Sequence, residues 1–79
     1  MHEPNRSLDL RGLTCPLPVL KARKALSAMP VGARLEVLTD DPKAPADLAE
    51  LCAAQGHRLV SSEATAAGHR TVIERGAGR

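Results

Sequence analysis

Four short stretches of this chain predict β-strands, and in the first two the apolar and polar residues alternate with period two, which is typical of a strand with one side on a core. The first stretch is Leu8-Asp9-Leu10, and the second covers residues 34–39, with Leu35 and Val37 facing inward. The last two cover residues 57–62 and 70–74. The small and polar residues between them, about 63–68, suit a hairpin loop.

Between these strands the apolar residues recur at helical spacing. Pro16 suits the first position of one helix, where its missing N–H has no partner to lose, and Pro18 is tolerated in the same turn. Pro30 ends this helix, whose apolar face collects Val19, Ala22, Leu26 and Met29. A second helix starts between residues 42 and 45, capped by Asp41 or by the backbone nearby. Gly56 ends it, and its apolar face consists of Leu48, Leu51 and Cys52.

The predicted order of elements is β-α-β-α-β-β. A right-handed crossover makes the first two strands parallel, and the last two strands should be antiparallel. Two helices can cover only one face of the sheet, which predicts the fold class: α/β (of the α+β kind), a two-layer sandwich of one mixed four-stranded sheet with two helices on one face. We expect a single domain over residues 1–79, ordered from about 7 to 75 with short tails.

This topology predicts where the candidate chemistry lies. The first two strands, being parallel, end at the same edge of the sheet. Cys15 follows the first strand, and Asp40 and Asp41 follow the second, so these three residues should share that edge. Aspartates at such positions are more often turn and cap residues than catalysts. Their nearness to Cys15 is what makes them candidates for the edge of a site.

Composition narrows the class of protein. The chain has no Phe, Tyr or Trp, so its core must be aliphatic, and its 43% hydrophobic residues suit a folded domain. A net charge of +2 permits an acidic partner without demanding one. Without aromatic side chains there is no stacking platform for single-stranded nucleic acid, although contacts to phosphates alone stay possible.

The location and redox state follow from what the sequence lacks. Its start has no apolar run typical of a signal peptide, and no stretch approaches the ~20 apolar residues of a membrane span. We therefore expect a cytoplasmic protein that makes no use of a membrane, with Cys15 and Cys52 as free thiols. A disulfide between the two cysteines is the alternative.

Cys15 is the candidate nucleophile. It lies at or just before the N-cap of the first helix, where unpaired N–H groups and the helix dipole should lower the pKa of a thiol. The alternative is that Cys15 packs in the core as a small apolar residue and does not react. Pro18 stands where a thioredoxin-type site has its resolving cysteine, so an adduct on Cys15 would have no local thiol to expel it. That favours a carrier over a dithiol reductase.

The other polar residues give weaker signals. The topology places none of the histidines, at positions 2, 57 and 69, beside Cys15, which argues against a catalytic dyad. Cys52 is expected to be packed in the core, and no four-ligand metal site is expected. A basic surface consists of Lys21, Arg23 and Lys24, with Arg11 nearby. It is either an ordinary solvated helix face or a docking patch for an acidic partner or for RNA phosphates.

Residues 8–20 resemble the signature of the TusA/SirA-like sulfur carrier family, with a short strand, a turn at Gly12, and the motif Cys-Pro-x-Pro opening a helix. The later Asp-Asp-Pro at residues 40–42, together with Asp47 and the segment from Cys52 to His57, resembles the second half of the family, so the resemblance covers about residues 7–75. It implies that Cys15 is catalytic and that Gly12, Pro16 and Pro18 support it structurally. Asp9, Asp40 and Asp41 match pattern positions without a defined chemical role.

The resemblance also implies a function, which is persulfide relay. A cysteine desulfurase, a rhodanese or a DsrE-type protein would place a sulfane sulfur on Cys15, and an acceptor protein would take it. No cofactor is implied beyond that transient persulfide. Destinations known in the family include tRNA thiolation, molybdenum cofactor synthesis and sulfur oxidation. Leu17 occupies the variable position of the motif, often an acid in the tRNA-thiolation members, so the pathway stays open.

Two other functions compete with this one. A non-catalytic module that binds RNA or protein would use the basic surface and leave Cys15 dispensable, although direct binding of nucleic acid is the weaker expectation. A redox protein would use Cys15 and Cys52 as a long-range pair, which requires an exposed Cys52.

Overall fold

The computed structural model describes residues 4–77, and its elements follow the predicted order. The strands are β1 (Arg6–Asp9), β2 (Arg34–Thr39), β3 (Arg58–Thr65) and β4 (Gly68–Glu74), and the helices are α1 (Leu17–Ser27) and α2 (Ala44–Gln55). The segments at residues 1–3 and 78–79, which include half of the predicted N-terminal tail at residues 1–6, lie outside the described residues. Within the described chain, neither helix has the length and apolar character needed to cross a membrane.

The four strands form one mixed sheet in the order β1-β2-β4-β3. Strand β1 pairs with β2 in parallel, and β4 pairs with both β2 and β3 in antiparallel fashion. The predicted α+β sandwich is therefore confirmed, as are the parallel first pair and the antiparallel last pair. The order leaves β1 at one edge of the sheet and β3 at the other.

Both helices pack on one face of the sheet, and the core lies between the two layers. Alternate residues of β2 are fully buried, namely Leu35, Val37 and Thr39. The helices bury Ala22, Ala25 and Leu26 from α1 and Leu48, Leu51 and Cys52 from α2. Of the face predicted for the first helix, Ala22, Leu26 and Met29 are buried and Val19 packs partly against the cluster.

The opposite face of the sheet carries ion pairs in place of a second helical layer. Arg34 pairs with Glu74 across β2 and β4 at 3.3 Å. Arg70 bridges Glu36 of β2 and Glu63 of β3. Because these charges lie on the residues that alternate with the core positions, this face is kept toward solvent.

The predicted hairpin loop at residues 63–68 is wrong in length. Strand β3 continues to Thr65 and β4 begins at Gly68, so only Ala66 and Ala67 connect them. The polar residues that suggested a loop instead lie on an exposed edge strand, where polarity is compatible with β-structure. The predicted end of the second helix is confirmed, because Gly56 adopts the left-handed conformation with φ of 74°.

Two threonines interrupt the otherwise apolar core. Thr39 and Thr71 are fully buried, and among residues 4–77 neither hydroxyl has a hydrogen-bond partner. A desolvated hydroxyl without a partner destabilises the folded state.

We expect Thr71→Val to raise the free energy of unfolding by about 1 kcal/mol, because it replaces that hydroxyl with a methyl group of similar size. Urea denaturation measures the change. Thr65→Val, on the exposed part of β3, is the matched control and should shift stability by less than about 0.5 kcal/mol. A destabilised Thr71→Val protein would contradict the assignment of an unsatisfied hydroxyl.

Candidate functional site

The loop that joins β1 to α1 presents Cys15 at one edge of the sheet. Cys15 is exposed and directly precedes Pro16, which is the N-cap residue of α1. The first helical residue is therefore Leu17, one later than predicted, and the buried Pro18 is the second. The N–H of Leu17 donates to the carbonyl of Thr14 at 2.9 Å, which closes a tight turn around the cysteine. The placement of Cys15 just before the N-cap agrees with the sequence prediction.

Two carboxylates at the end of β2 fix this loop through its backbone. The N–H of Gly12 donates to Asp40 Oδ1 at 2.9 Å, and the N–H of Cys15 donates to Asp41 Oδ2 at 2.6 Å. Asp41 Oδ1 also accepts the N–H of Lys43 at 3.0 Å. These backbone bonds, from Lys43 first and Cys15 second, hold the pKa of Asp41 below its ordinary value. Asp40 and Asp41 thus lie at the edge of the site as predicted, and the structure gives them a positioning role.

Asp9 and Arg11 form a separate pair beside the loop. The guanidinium of Arg11 donates from Nε to Asp9 Oδ1 at 2.8 Å and from Nη2 to Oδ2 at 2.7 Å. This pairing, together with the backbone N–H of Arg11, lowers the pKa of Asp9 to about 2. Arg11 is therefore paired with a carboxylate, and the structure does not bring it into the predicted docking surface.

Cys15 opens onto a groove between α1 and α2, with a volume of about 370 Å³. We call it the Cys15 groove. Its apolar wall comes from both helices and consists of Pro16, Val19, Leu20, Leu51 and Ala54, while Arg23, Asp47, Glu50 and Gln55 supply its polar groups. Leu17 and Leu20 are 43% and 52% exposed. Exposed leucines beside a reactive residue suit contact with another protein.

Asp47 is the functional residue that the sequence analysis missed. It lies in the first turn of α2 and lines the same groove as Cys15. Hydrogen bonding to Asp47 is the largest cause of a raised pKa at Cys15; partial desolvation and the negative charges of Asp47 and Asp41 add to it, while Lys43 opposes it. This direction is opposite to the predicted lowering of the thiol pKa, because carboxylates near the sulfur disfavour the thiolate.

A signal for Asp47 was present in the topology. Both helices follow parallel strands, so both begin at the same edge of the sheet. A carboxylate in the first turn of α2 therefore lies near any residue at the start of α1. In the sequence, Asp47 matched the family pattern but was given no role at Cys15.

The predicted basic surface is divided by α1. Lys21 and Lys24 lie on the flank of the helix toward β1, together with Arg6. Arg23 lies on the other flank and lines the Cys15 groove. These cations therefore do not act as a single patch.

The remaining candidates lie away from Cys15. His57 accepts the N–H of Gly76 through Nδ1 at 3.0 Å, and His69 bonds to Ser62, so neither lines the Cys15 groove. His2 lies outside the described residues. Cys52 is only 3% exposed, and burial raises the pKa of its thiol. The prediction that Cys52 is packed in the core is confirmed. The hypothesis of a long-range redox pair with Cys15 is wrong, because it requires an exposed Cys52.

The fold and site together define a class: a small two-layer α+β domain with one accessible cysteine before a helix and its only other thiol in the core. The family model described as Sulfurtransferase TusA matches residues 6–75. Because this match spans most of the chain, the protein belongs to the TusA family, and the resemblance seen in its sequence is confirmed.

Individual relatives agree with this assignment. Two proteins of Neisseria meningitidis, from a serogroup A and a serogroup B strain and each named as a candidate sulfur carrier protein, are 45% identical over 58 residues. The aligned part is 73% of this chain and 78% of each relative. The crystal structure of a SirA-like protein from Desulfitobacterium hafniense superposes with a TM-score of 0.76 at 27% identity, covering 94% of this chain and 99% of that one. These likenesses support a sulfur carrier role.

The role of Asp41 predicts a pH dependence. Because the folded-state pKa of Asp41 is lowered, its contribution to stability is present above the unfolded pKa and is lost as the pH falls through the folded pKa. We expect the NMR shift of the Cys15 amide proton to change at a pH below the ordinary aspartate range. In Asp41→Asn this transition should be absent. A midpoint at or above the ordinary value would contradict the two backbone bonds.

The role of Asp47 predicts the reactivity of the thiol. Asp47→Asn removes the negative charge beside Cys15, so the thiol pKa should fall and alkylation by iodoacetamide at pH 7 should become several-fold faster. The measurement is the alkylation rate as a function of pH. Glu50→Gln, an acid elsewhere in the same groove, is the matched control and should leave the profile unchanged. Identical profiles for Asp47→Asn and the wild type would show that Asp47 does not act on the thiol.

Proposed function

We propose that this protein is a sulfurtransferase that accepts a sulfane sulfur as a persulfide on Cys15 and relays it to an acceptor protein. One observation carries the proposal: Cys15 is exposed at the mouth of a groove, while the only other cysteine lies in the core. An adduct on Cys15 therefore has no thiol of the same chain positioned to expel it. Membership of the TusA family supports the same role.

The proposed loading step is an exchange at sulfur. The Cys15 thiolate attacks the outer sulfur of a persulfide on the donor, the S–S bond of the donor breaks, and the donor cysteine leaves as a thiolate. The proton lost from Cys15 goes to that leaving thiolate, through solvent or through Asp47. Release repeats the exchange, with an acceptor thiolate attacking the outer sulfur and Cys15 leaving. The sulfane sulfur is passed on without an external oxidant or reductant.

The raised pKa of Cys15 matters for this exchange. A thiol of high pKa is a strong nucleophile once it is deprotonated, but it is a poor leaving group. Asp47 therefore favours retention of a bound sulfur on Cys15. Release would become faster when an acceptor neutralises Asp47 or draws it away from the thiol.

The exposed leucines and the Cys15 groove suit a protein donor and a protein acceptor, which the carrier role requires. By likeness to the family, the donor is a cysteine desulfurase, a rhodanese or a DsrE-type protein. The acceptor serves tRNA thiolation, molybdenum cofactor synthesis or sulfur oxidation. A cytoplasmic location, where both thiols stay reduced, fits this role.

Intact mass under non-reducing conditions tests the proposal. The protein is incubated with a cysteine desulfurase and cysteine, and separately with polysulfide. We expect the wild type and Cys52→Ala to gain one sulfur atom, and Cys15→Ser to gain none. Alanine is used at position 52 because a serine hydroxyl would be buried there. A gain of sulfur by Cys15→Ser, or no gain by the folded wild type with either source, would contradict the assignment of a persulfide to Cys15.

A further inference from the structure

A second groove lies on the flank of α1 that faces away from the Cys15 groove. It runs between α1 and β1 and has a volume of about 310 Å³. We call it the β1 groove. Three cations lie along it, Arg6 from β1 and Lys21 and Lys24 from α1, and its apolar surface comes from Leu8, Leu10, Ala25 and Ala28.

The charge of the β1 groove is not balanced by an ion pair with any residue from 4 to 77. Arg34 and Arg70, on the open face of the sheet, are both paired with glutamates. Within the part of the chain from residue 4 to residue 77, by contrast, Arg6, Lys21 and Lys24 form no ion pair. Three cations without carboxylates around an apolar surface are complementary to a ligand that carries both negative and apolar groups.

The backbone beside this groove is also unpartnered. Strand β1 is at the edge of the sheet, so among the described residues only its β2 side is paired. An edge strand offers N–H and C=O groups to which an extended peptide can add as a further strand. In such an added strand, alternate side chains point in the same direction and could reach the cations of α1.

We propose that the β1 groove binds an extended acidic segment of a partner protein, which pairs with the edge of β1 and places its carboxylates against Arg6, Lys21 and Lys24. The apolar surface favours a peptide over a nucleic acid, because aliphatic side chains of a peptide can be buried there. The whole chain lacks the aromatic residues that stack on bases.

This interaction surface goes beyond the proposed sulfur transfer and does not depend on it. The β1 groove and the Cys15 groove lie on opposite flanks of α1 and share no lining residue. A partner held in the β1 groove therefore leaves Cys15 accessible to a second protein.

An NMR titration of the isotopically labelled protein tests the proposal. The probe is a capped peptide about eight residues long, at millimolar concentration, with threonine at every second position and glutamate and valine alternating at the positions between, so that both point to the same face of the strand. We expect amide shifts concentrated in residues 6–10, and binding that weakens as salt is raised. In the double variant Lys21→Glu/Lys24→Glu the affinity should fall about tenfold, since two attractions become repulsions. Arg23→Glu, on the other flank of α1, is the matched control and should change the affinity less than about twofold.

Several results would overturn the proposal. These are no binding of the peptide to the folded wild type, unchanged affinity in the double variant, or shifts confined to the Cys15 groove. A peptide with lysine in place of glutamate that binds equally well would remove the role of charge. An oligouridine of similar net charge that binds these residues more tightly than the peptide would assign the groove to nucleic acid instead. Circular dichroism of each variant establishes that it is folded.

Discussion

The bonds from Asp40 and Asp41 to the backbone of the β1–α1 loop are the interaction on which the site depends. They join the end of β2 to the amides of Gly12 and Cys15, so the reactive sulfur is positioned by the neighbouring strand as well as by its own helix. Gly12 accommodates this arrangement because its φ of 89° lies in the region that side chains disfavour. A parallel β1–β2 pair is what brings donors and acceptors to the same edge. The position of the Cys15 loop thus depends on the parallel pairing of β1 with β2.

The same topology sets the electrostatics of the thiol. Starting two helices at one edge brings the favourable N-terminus of α1 to Cys15, but it also brings the first turn of α2 and therefore Asp47. The pKa of the thiol is raised, and Asp47 is the largest cause, so the first turn of α2 sets the direction of the shift. The result suits a carrier, whose cysteine must be able to hold its cargo between two encounters.

The sequence predicted most of the fold because its signals were local and mutually consistent. Alternation in β2, the helical spacing of Ala22 and Leu26, and Gly56 as a helix end each correspond to one physical preference. The hairpin was mispredicted because polar residues on an edge strand look like a loop when only composition is read. Cys15, Asp40 and Asp41 were brought together correctly, since strand direction alone places them.

What could not be predicted depends on side-chain directions between elements. The topology places the first turn of α2 beside the start of α1, but no pattern within α2 shows that Asp47 shares a groove with Cys15. Helical periodicity separates Arg23 from Lys21 and Lys24, but it does not show which groove each flank of α1 lines. Both results depend on how α1 packs against its neighbours.

The all-aliphatic core has a consequence for how this protein can be observed. With no tryptophan or tyrosine anywhere in the chain, it is nearly silent in near-ultraviolet absorption and in intrinsic fluorescence. Any tryptophan emission from a mixture with another protein therefore belongs wholly to that other protein. Binding of this protein to a partner that contains tryptophan can therefore be followed by the fluorescence of the partner, without a label on either molecule.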